Sequence, residues 1–183
     1  MRIIRGEFAG KAIIAPNSKL TRPTSDKVRQ AIFNIIEHHT AIPDLNEAIV
    51  LDIFAGSGSL GLEALSRGAK HVTFVDSQRA ARLALYNIVH DWNIKNRVEI
   101  SSSDALHLDS SLKTMDFIFC DPPYRENLVN LSMTHLHSTG WIGGSTTIIA
   151  EMHKQDDINL ALPVNIIQEK QYGDTKVIFF NIL

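Results

Sequence analysis

The chain has 183 residues, 44% hydrophobic and 21% charged, which predicts one globular domain with a substantial core. No apolar run approaches the roughly 20 residues of a membrane span, and Arg2, Arg5 and Glu7 interrupt the start, so we expect neither a membrane helix nor a secretory signal. A single cysteine excludes an internal disulfide, and we expect a cytoplasmic protein.

The net charge of −2 is unevenly distributed along the chain. Residues 1–30 contain seven Lys or Arg and two Asp or Glu, a net charge of +5, whereas the remainder carries −7. A basic end on an acidic body indicates a surface for a polyanion, because phosphate contacts supply affinity and register. The competing interpretation is a solvated charged face without a partner.

The chain opens with a predicted β-hairpin. Residues 2–5 and 11–15 form short strand-like runs, and glycines lie between them. We interpret residues 1–23 as a small basic extension in front of the main core, residues 24–183.

A helix is the next predicted element. Thr24 or Ser25 can cap its N-terminus, and it ends near His38. Its apolar residues recur at helical spacing and predict a buried face made of Val28, Ile32, Ile35 and Ile36. Lys27 and Arg29 are left for solvent or a partner.

A glycine-rich turn follows the apolar run at residues 49–53, which predicts a buried parallel strand. Gly56 and Gly58 lack the Cβ that would keep a ligand from the backbone, and Gly61 lets the predicted helix at 59–67 pack against the strand. This glycine spacing is shared by dinucleotide dehydrogenases and S-adenosylmethionine methyltransferases, and a tight turn without a ligand is the third interpretation.

Acidic residues mark the ends of the first two predicted strands. Asp52 lies in an apolar strand, where an unpaired carboxylate is costly, so it is expected to accept backbone N–H groups of the turn or meet a ligand cation. Asp76 ends the strand at 71–76, at the distance from Gly56 where a carboxylate binds a ribose diol. Alternatively Asp76 caps the next helix, although Ser77 also offers that cap.

The remaining elements help to decide between a nicotinamide dinucleotide and S-adenosylmethionine as the ligand of the glycine turn. They are a helix with Ala81, Ala84, Leu85 and Ile88 on one face, strands at 97–101, 115–120 and 147–150, a helix from Leu128 to Leu136, and strand-like runs at 164–170 and 176–182. Too little chain separates the last two runs for a helical crossover, so they should pair antiparallel. Five parallel strands followed by a hairpin is the plan of S-adenosylmethionine methyltransferases, whereas a nicotinamide domain closes with a sixth parallel strand.

The stretch Asp121-Pro122-Pro123-Tyr124 suits methylation of a ring amino group. Such a nitrogen is a poor nucleophile unless acceptors hold both N–H bonds, and the Asp121 carboxylate and the Pro122 carbonyl are two acceptors. Pro123 restricts Pro122 to an extended conformation, and Tyr124 offers a face on which a base can stack. The base must be flipped out or unpaired to reach such a site. In isolation, a proline-rigidified turn would be the simpler interpretation.

Together with the glycine turn, this tetrapeptide resembles amino-group methyltransferases. Residues Met1–Gly6, Gly10–Lys11 and Arg22–Arg29 further resemble the bacterial small-subunit ribosomal RNA guanine-N2 methyltransferases of the RsmD type, and the similarity covers essentially the whole chain. It implies an α/β, Rossmann-like S-adenosylmethionine-dependent methyltransferase fold with a seven-stranded, mostly parallel sheet, an antiparallel C-terminal hairpin and a small N-terminal β-hairpin extension. It also implies S-adenosylmethionine as cofactor and methylation of one guanine N2 of 16S RNA, within the small subunit or its precursor.

The resemblance implies a role for each matching residue. The cofactor would be held by Asp52, Phe54, Gly56, Ser57, Gly58, Asp76, Ser77, Asp104 and Ala105, with Asp104 at the adenine. An ordinary loop turn is the alternative for Asp104. The catalytic residues would be Asp121, Pro122, Pro123 and Tyr124. The RNA contacts would be Arg2, Arg5, Lys11, Arg22, Thr24, Asp26 and Arg29. We expect no metal, because neither His38 with His39 nor His135 with His137 is spaced as a chelate.

Two other functions remain open at the level of sequence. A DNA adenine-N6 or cytosine-N4 methyltransferase uses the same tetrapeptide, but the short N-terminal extension leaves little room for sequence recognition. A non-catalytic protein that binds the cofactor or RNA is the second alternative, and the intact Asp121–Tyr124 stretch disfavours it. We expect a monomer that does not bind membranes.

Overall fold

The chain folds as a central β-sheet with helices on both faces, as described by a computed structural model of residues 1–14, 26–123 and 127–183. The predicted helix cap at Thr24 or Ser25 lies outside these residues. Besides a 3-10 turn at Lys95–Arg97, the elements in chain order are α1 (Asp26–His38), β1 (Ile49–Ile53), α2 (Ser59–Ser66), β2 (His71–Val75), α3 (Arg79–Asp91), β3 (Val98–Ser101), β4 (Phe117–Cys120), α4 (Leu128–Ser138), β5 (Thr147–His153), β6 (Val164–Tyr172) and β7 (Thr175–Ile182).

The sheet topology confirms the predicted methyltransferase plan. The strand order is β3-β2-β1-β4-β5-β7-β6, and β1 to β5 all run parallel. β7 is antiparallel to both β5 and β6, so the C-terminal pair inserts its second strand next to β5. The order reverses direction at β1 and β4, and open α/β sheets bind their ligands beyond the strand ends at such a switch point. β5 continues to His153, three residues past its predicted end at Ala150.

Alternating side chains of the strands form two hydrophobic layers. Val50 and Phe119 face the layer that contains α1, α2 and α3. Leu51 and Cys120 face the layer that contains α4. β4 is buried along its whole length, as expected for a parallel strand covered on both faces. No helix in the described parts of the chain is long and apolar enough to cross a membrane.

The predicted N-terminal hairpin is reduced to a single antiparallel bridge, between Arg2 and Ala12. The Ile3 N–H still donates to the Lys11 carbonyl. Further pairing is prevented because the next N–H groups, of Ile4 and Arg5, donate to a side chain of α2 instead of to a partner strand. The extension is therefore docked on the core rather than folded as an independent hairpin.

Glu63 and Ser66 of α2 provide this docking site. The Glu63 carboxylate is fully buried, accepts the Ile4 and Arg5 N–H groups at 2.8 and 3.1 Å, and pairs with Arg67 at 2.7 Å. Gly6 lies so close to α2 that a Cβ there would be 1.8 Å from the Ser66 carbonyl oxygen. A glycine is required at this position by the contact and by its φ of +91°.

Candidate active site

The turn after β1 has an unusual backbone conformation. Phe54, Gly56 and Gly58 all have positive φ, at 58°, 53° and 71°. For a non-glycine residue such as Phe54 this conformation is uncommon and costs about 1–3 kcal/mol, and it is found most often at functional sites. The turn is held from β2, because the Ala55 N–H donates to the Val75 carbonyl and the Gly56 N–H donates to Asp76. The main chain is thus fixed in place at the switch point.

The three glycines of the motif serve different purposes. Among the described residues, a Cβ on Gly56 would meet only the Phe54 carbonyl oxygen, at 3.9 Å, so on this side the described structure leaves Gly56 open to a ligand. A Cβ on Gly58 would instead lie 2.4 Å from Leu85, in the core. The missing side chain of Gly58 therefore faces the core and not a ligand, and contact between the Gly58 backbone and the cofactor stays a prediction. Gly61 lets α2 approach the sheet, as predicted, because a Cβ there would be 2.4 Å from Phe74.

Asp52 connects β1 to the start of α2. Its side chain is 2% exposed, and its Oδ2 accepts the Gly61 N–H at 2.9 Å, which confirms the predicted bond to the turn. Burial raises the pKa of Asp52 well above the ordinary value, and the nearby charges of Asp121 and Asp76 raise this pKa further. Three acids from three strand ends therefore influence one another at this edge of the sheet.

The Asp76 side chain holds the glycine turn in place through hydrogen bonds within the protein. Its Oδ2 accepts the Gly56 N–H at 2.7 Å, and its Oδ1 accepts the Gln78 N–H at 2.8 Å. Neither Asp76 nor Ser77 caps α3, because its N-cap is Gln78 and no side chain makes a capping bond there. A carboxylate has about four acceptor sites, so these two bonds leave capacity for a ribose diol, which stays a prediction.

Asp104 forms an ordinary loop turn. Its Oδ1 accepts the Leu106 N–H at 3.0 Å, and its Oδ2 lies 3.2 Å from His107 Nδ1. The bond from Leu106 lowers the pKa of Asp104. Ala105 is buried in the layer that contains α4. The contact between Asp104 and an adenine therefore remains a prediction.

Asp121, Pro122 and Pro123 follow β4 directly, beside the end of β1. Asp121 is half-buried, Pro122 is buried and Pro123 is exposed. Tyr124 lies outside the described residues, so its stacking role stays a prediction. The preceding residue, Cys120, is fully buried in contact with Ser132, and burial raises the pKa of its thiol. Such a thiol is inert, in line with its predicted role as a strand filler rather than a nucleophile.

A cavity of about 350 Å³ opens next to the two prolines. Its walls come from Pro122 and Pro123, from the start of α4, from the end of β5 and from residues 156–159. The lining is rich in oxygen acceptors, with Asn130, Glu151 and two aspartates among its residues. The cavity therefore offers acceptors to a ligand that presents hydrogen-bond donors.

Glu151 is a site residue that the sequence analysis did not identify. It lines the cavity at the end of β5 and is 3% exposed. An available signal was the repeated pattern of an apolar run ending in an acid, which had already identified Asp52, Asp76 and Asp121. The same pattern is present at Glu151, because the predicted fifth strand ends at Ala150, directly before this acid.

Asn130 and Lys176 fix the loop wall of the cavity. The Asn130 amide donates to the Asp157 carbonyl at 3.1 Å, and its oxygen accepts the Asn159 N–H at 2.8 Å. The Lys176 ammonium, only 6% exposed, pairs with the Asp157 carboxylate at 2.6 Å. These contacts attach the loop to α4 and β7 at once.

The predicted RNA-contacting residues have different environments. Arg5 is largely exposed and pairs with Glu37 at 2.8 Å, Arg2 donates to the Gly10 carbonyl, and the Lys11 ammonium lies 5.0 Å from the centre of the Phe8 ring. These three remain available at the surface. Two others, Arg22 and Thr24, lie outside the described residues.

Arg29 contradicts its predicted role. Its side chain is completely buried, donates to the Arg2 carbonyl and pairs with Asp26 at 3.0 Å. The arginine therefore connects α1 to the N-terminal segment and does not face RNA. The helical pattern places Arg29 beside the apolar face and so predicts an exposed side chain. The docked N-terminal segment covers this side of α1 and buries Arg29. Asp26 is largely exposed but serves as the partner of Arg29.

The described parts of the chain contain no cluster of candidate metal ligands. No group of three or more His, Cys, Asp and Glu in residues 1–14, 26–123 and 127–183 is arranged to hold an ion. His135 binds the Leu108 carbonyl through Nε2 at 2.9 Å.

Comparison with known proteins gives consistent similarities over the whole chain. Residues 1–181 match the family model described as Conserved hypothetical protein 95. The chain is 33% identical over 179 residues to ribosomal RNA small subunit methyltransferase D of Haemophilus influenzae, covering 94% of this chain and 89% of that protein. It is 32% identical to the putative rRNA methyltransferase YlbH of Bacillus subtilis, covering 98% of each. The solved structure of the putative methyltransferase yhhF from Escherichia coli matches with a TM-score of 0.85 at 28% identity, covering 100% of this chain and 97% of that one.

Proposed function

Because the chain belongs to the Conserved hypothetical protein 95 family, we propose that it is an S-adenosylmethionine-dependent methyltransferase of small-subunit ribosomal RNA. More specifically, we propose that it methylates the exocyclic N2 of one guanine in 16S RNA, within the small subunit or its precursor. The protein would act as a monomer in the cytoplasm.

The observation that carries this proposal is the meeting of three strand ends. Asp52 lies near the C-terminal end of β1, Asp76 and Asp121 directly follow the neighbouring strands β2 and β4, and the charges of Asp121 and Asp76 both raise the pKa of Asp52. The glycine turn follows β1, and the cavity lies beside Pro122 after the parallel neighbour β4, at the same edge of the sheet. A donor over the turn and an acceptor in the cavity would therefore face each other across Asp121.

The cofactor fits the turn side of this edge. S-adenosylmethionine, when bound, supplies an electrophilic methyl group on a sulfonium. The open space above Gly56 accommodates its methionine portion, and the remaining acceptor capacity of Asp76 suits the ribose. We assign the adenine to the loop at Asp104 and Ala105 by family position.

Asp121 and Pro122 would prepare the acceptor amine. The Asp121 carboxylate and the Pro122 carbonyl accept its two N–H bonds, which directs the nitrogen lone pair toward the methyl group. Alignment of the two reactants supplies most of the rate, because it replaces a bimolecular encounter with one fixed geometry. After transfer, Asp121 accepts the proton that the amine releases.

RNA would reach this site alongside the N-terminal segment. Arg2, Arg5 and Lys11 place positive charge on the surface of a body that is otherwise acidic, and such charges bind phosphates without reading sequence. The target nucleotide must be flipped out of any helix to enter the cavity.

The proposal is tested by mapping modified nucleosides in ribosomal RNA from a strain that lacks this gene. We expect one N2-methylguanosine to disappear from 16S RNA, and a plasmid-borne wild-type gene to restore it. Asp121→Asn should fail to restore it and should slow methyl transfer to purified small subunits by roughly 10²- to 10⁴-fold, with unchanged cofactor binding.

A matched control is Asp91→Asn, which makes the same change at an exposed position at the end of α3. It should methylate as the wild type does. An intact modification profile in the deletion strain would refute the proposal, and labelled methyl appearing in DNA but not in small subunits would favour the DNA methyltransferase.

A further inference from the structure

The end of β5 carries the most deeply buried acid of the cavity, Glu151. We propose that the Glu151 carboxylate selects guanine by accepting the N1–H of the target base. This inference rests on the proposed function and adds to it the residue that decides which base is methylated.

The strand register places Glu151 beside the catalytic stretch. β4 and β5 pair in parallel as far as Cys120 and Ala150, so the next residues along the two strands are Asp121 and Glu151. Neighbouring strands lie about 4.8 Å apart, which is within the width of a purine. Glu151 also shares the cavity with Pro122, whose carbonyl is a proposed amine acceptor. A planar base in this cavity can therefore reach Pro122 and Glu151, with Asp121 one strand spacing away from Glu151.

Selection is needed because an exocyclic amine is not specific to guanine. Adenine, cytosine and guanine all carry one, so Asp121 and Pro122 alone accept any of the three. Next to its amine, guanine has the N1–H donor, whereas adenine has the N1 acceptor and cytosine the N3 acceptor. A carboxylate binds the first and repels the other two, because an ionised carboxylate can only accept hydrogen bonds.

The other acids of the cavity are less suited to this role. The Asp157 side chain is 83% exposed and is paired with Lys176 at 2.6 Å. Asp156 is only half-buried, on the same loop. A hydrogen bond discriminates most strongly where water cannot replace it, and Glu151 is the acid from which water is best excluded.

The test changes the protein and the base separately. Glu151→Gln keeps the shape of the side chain but removes its charge and adds an N–H donor. Replacing the target guanine with 2-aminopurine keeps the amine but turns N1 into an acceptor. For the wild type, we expect kcat/KM to be at least about 100-fold lower on 2-aminopurine than on guanine.

The two changes should be coupled. Glu151→Gln should lower kcat/KM on guanine by about 10- to 100-fold, and the preference for guanine over 2-aminopurine should fall below about tenfold, because the glutamine amide can donate to the N1 acceptor. Cofactor binding measured by calorimetry should stay unchanged, since Glu151 lies on the acceptor side. Glu169→Gln, on an exposed position of β6, is the matched control and should keep the wild-type preference.

The outcomes separate this inference from the proposed function. A Glu151→Gln variant that methylates guanine with the wild-type preference would overturn the role of Glu151. If this variant does not fold, the wild-type protein still tests the inference. Equal kcat/KM values of the wild type on guanine and on 2-aminopurine would show that N1–H is not recognised and would overturn it. A wild-type protein that methylates no guanine in small-subunit RNA would instead overturn the proposed function.

Discussion

Gly61→Ala tests the close contact between α2 and the sheet, from which the geometry of the glycine turn follows. The new Cβ would lie 2.4 Å from Phe74, 2.8 Å from Val72 and 2.9 Å from the Asp52 Oδ2. Phe74 and Val72 are fully buried in β2 and cannot move aside cheaply. The substitution therefore forces α2 outward and strains the bond between Asp52 and the Gly61 N–H.

Two opposing effects determine how much Gly61→Ala changes the free energy of unfolding. Alanine favours a helix interior over glycine by about 1 kcal/mol. Overpacking a close-packed core costs about 1–3 kcal/mol, and three contacts below 3.0 Å place this site at the upper end of that range. The net loss in unfolding free energy is about 2 kcal/mol, which lowers the melting temperature of a chain of this size by about 4–8 °C.

The measurement is thermal and urea unfolding followed by circular dichroism. Gly144→Ala is the matched control, because nothing lies within 4 Å of a Cβ at that position, and it should melt within about 2 °C of the wild type. If Gly61→Ala melts with the control or above it, the helix-propensity gain has prevailed and the inferred close contact is wrong.

Three other substitutions test separate parts of the structure. Glu63→Gln should lower the unfolding free energy by about 2 kcal/mol in urea titrations, because it weakens buried charge-assisted bonds to Arg67 and to two N–H groups; an unchanged midpoint would contradict this role. Burial raises the pKa of Asp52, so its stabilising contribution is present at acid pH and is lost as the pH rises through the folded-state value. Asp52→Asn should therefore gain stability relative to wild type as the pH rises above the ordinary aspartate pKa, and a pH-independent difference would argue against the raised pKa. Lys11→Ala should reduce the salt dependence of small-subunit binding by about one unit of log–log slope, whereas an unchanged slope would mean that Lys11 makes no phosphate contact.

The sheet and its topology could be predicted because apolar runs determine both. Strands such as β1 and β4 are buried on two faces, so each forms an apolar run, interrupted in β1 only by Asp52, whose end is visible in the sequence. The five residues between the last two predicted strands excluded a crossover, and β6 and β7 do pair antiparallel. The bond from Gly61 to Asp52 was also predictable, since a buried carboxylate must find a donor.

The errors concern residues whose environment is created by distant parts of the chain. Arg29 is buried by a segment more than twenty residues away, which a local helical pattern cannot reveal. The inward direction of Gly58 depends on contact with Leu85 of α3. The apolar run of β5 ends before Glu151, and the burial of this acid follows from the continued pairing of β5 with β7 up to His153. Local patterns therefore identified the elements, but tertiary contacts decided which side each residue faces.

The attachment of the N-terminal segment to α2 also fixes a distance. Ile4, Arg5 and Gly6 are bound to the C-terminal half of the helix whose first turn begins at Gly58. That helix is a rigid rod of eight residues, about 12 Å long. The backbone of Arg5 is consequently held at a fixed distance from the glycine turn. A phosphate bound by Arg5 would therefore be positioned relative to that turn, and not merely attached to the protein.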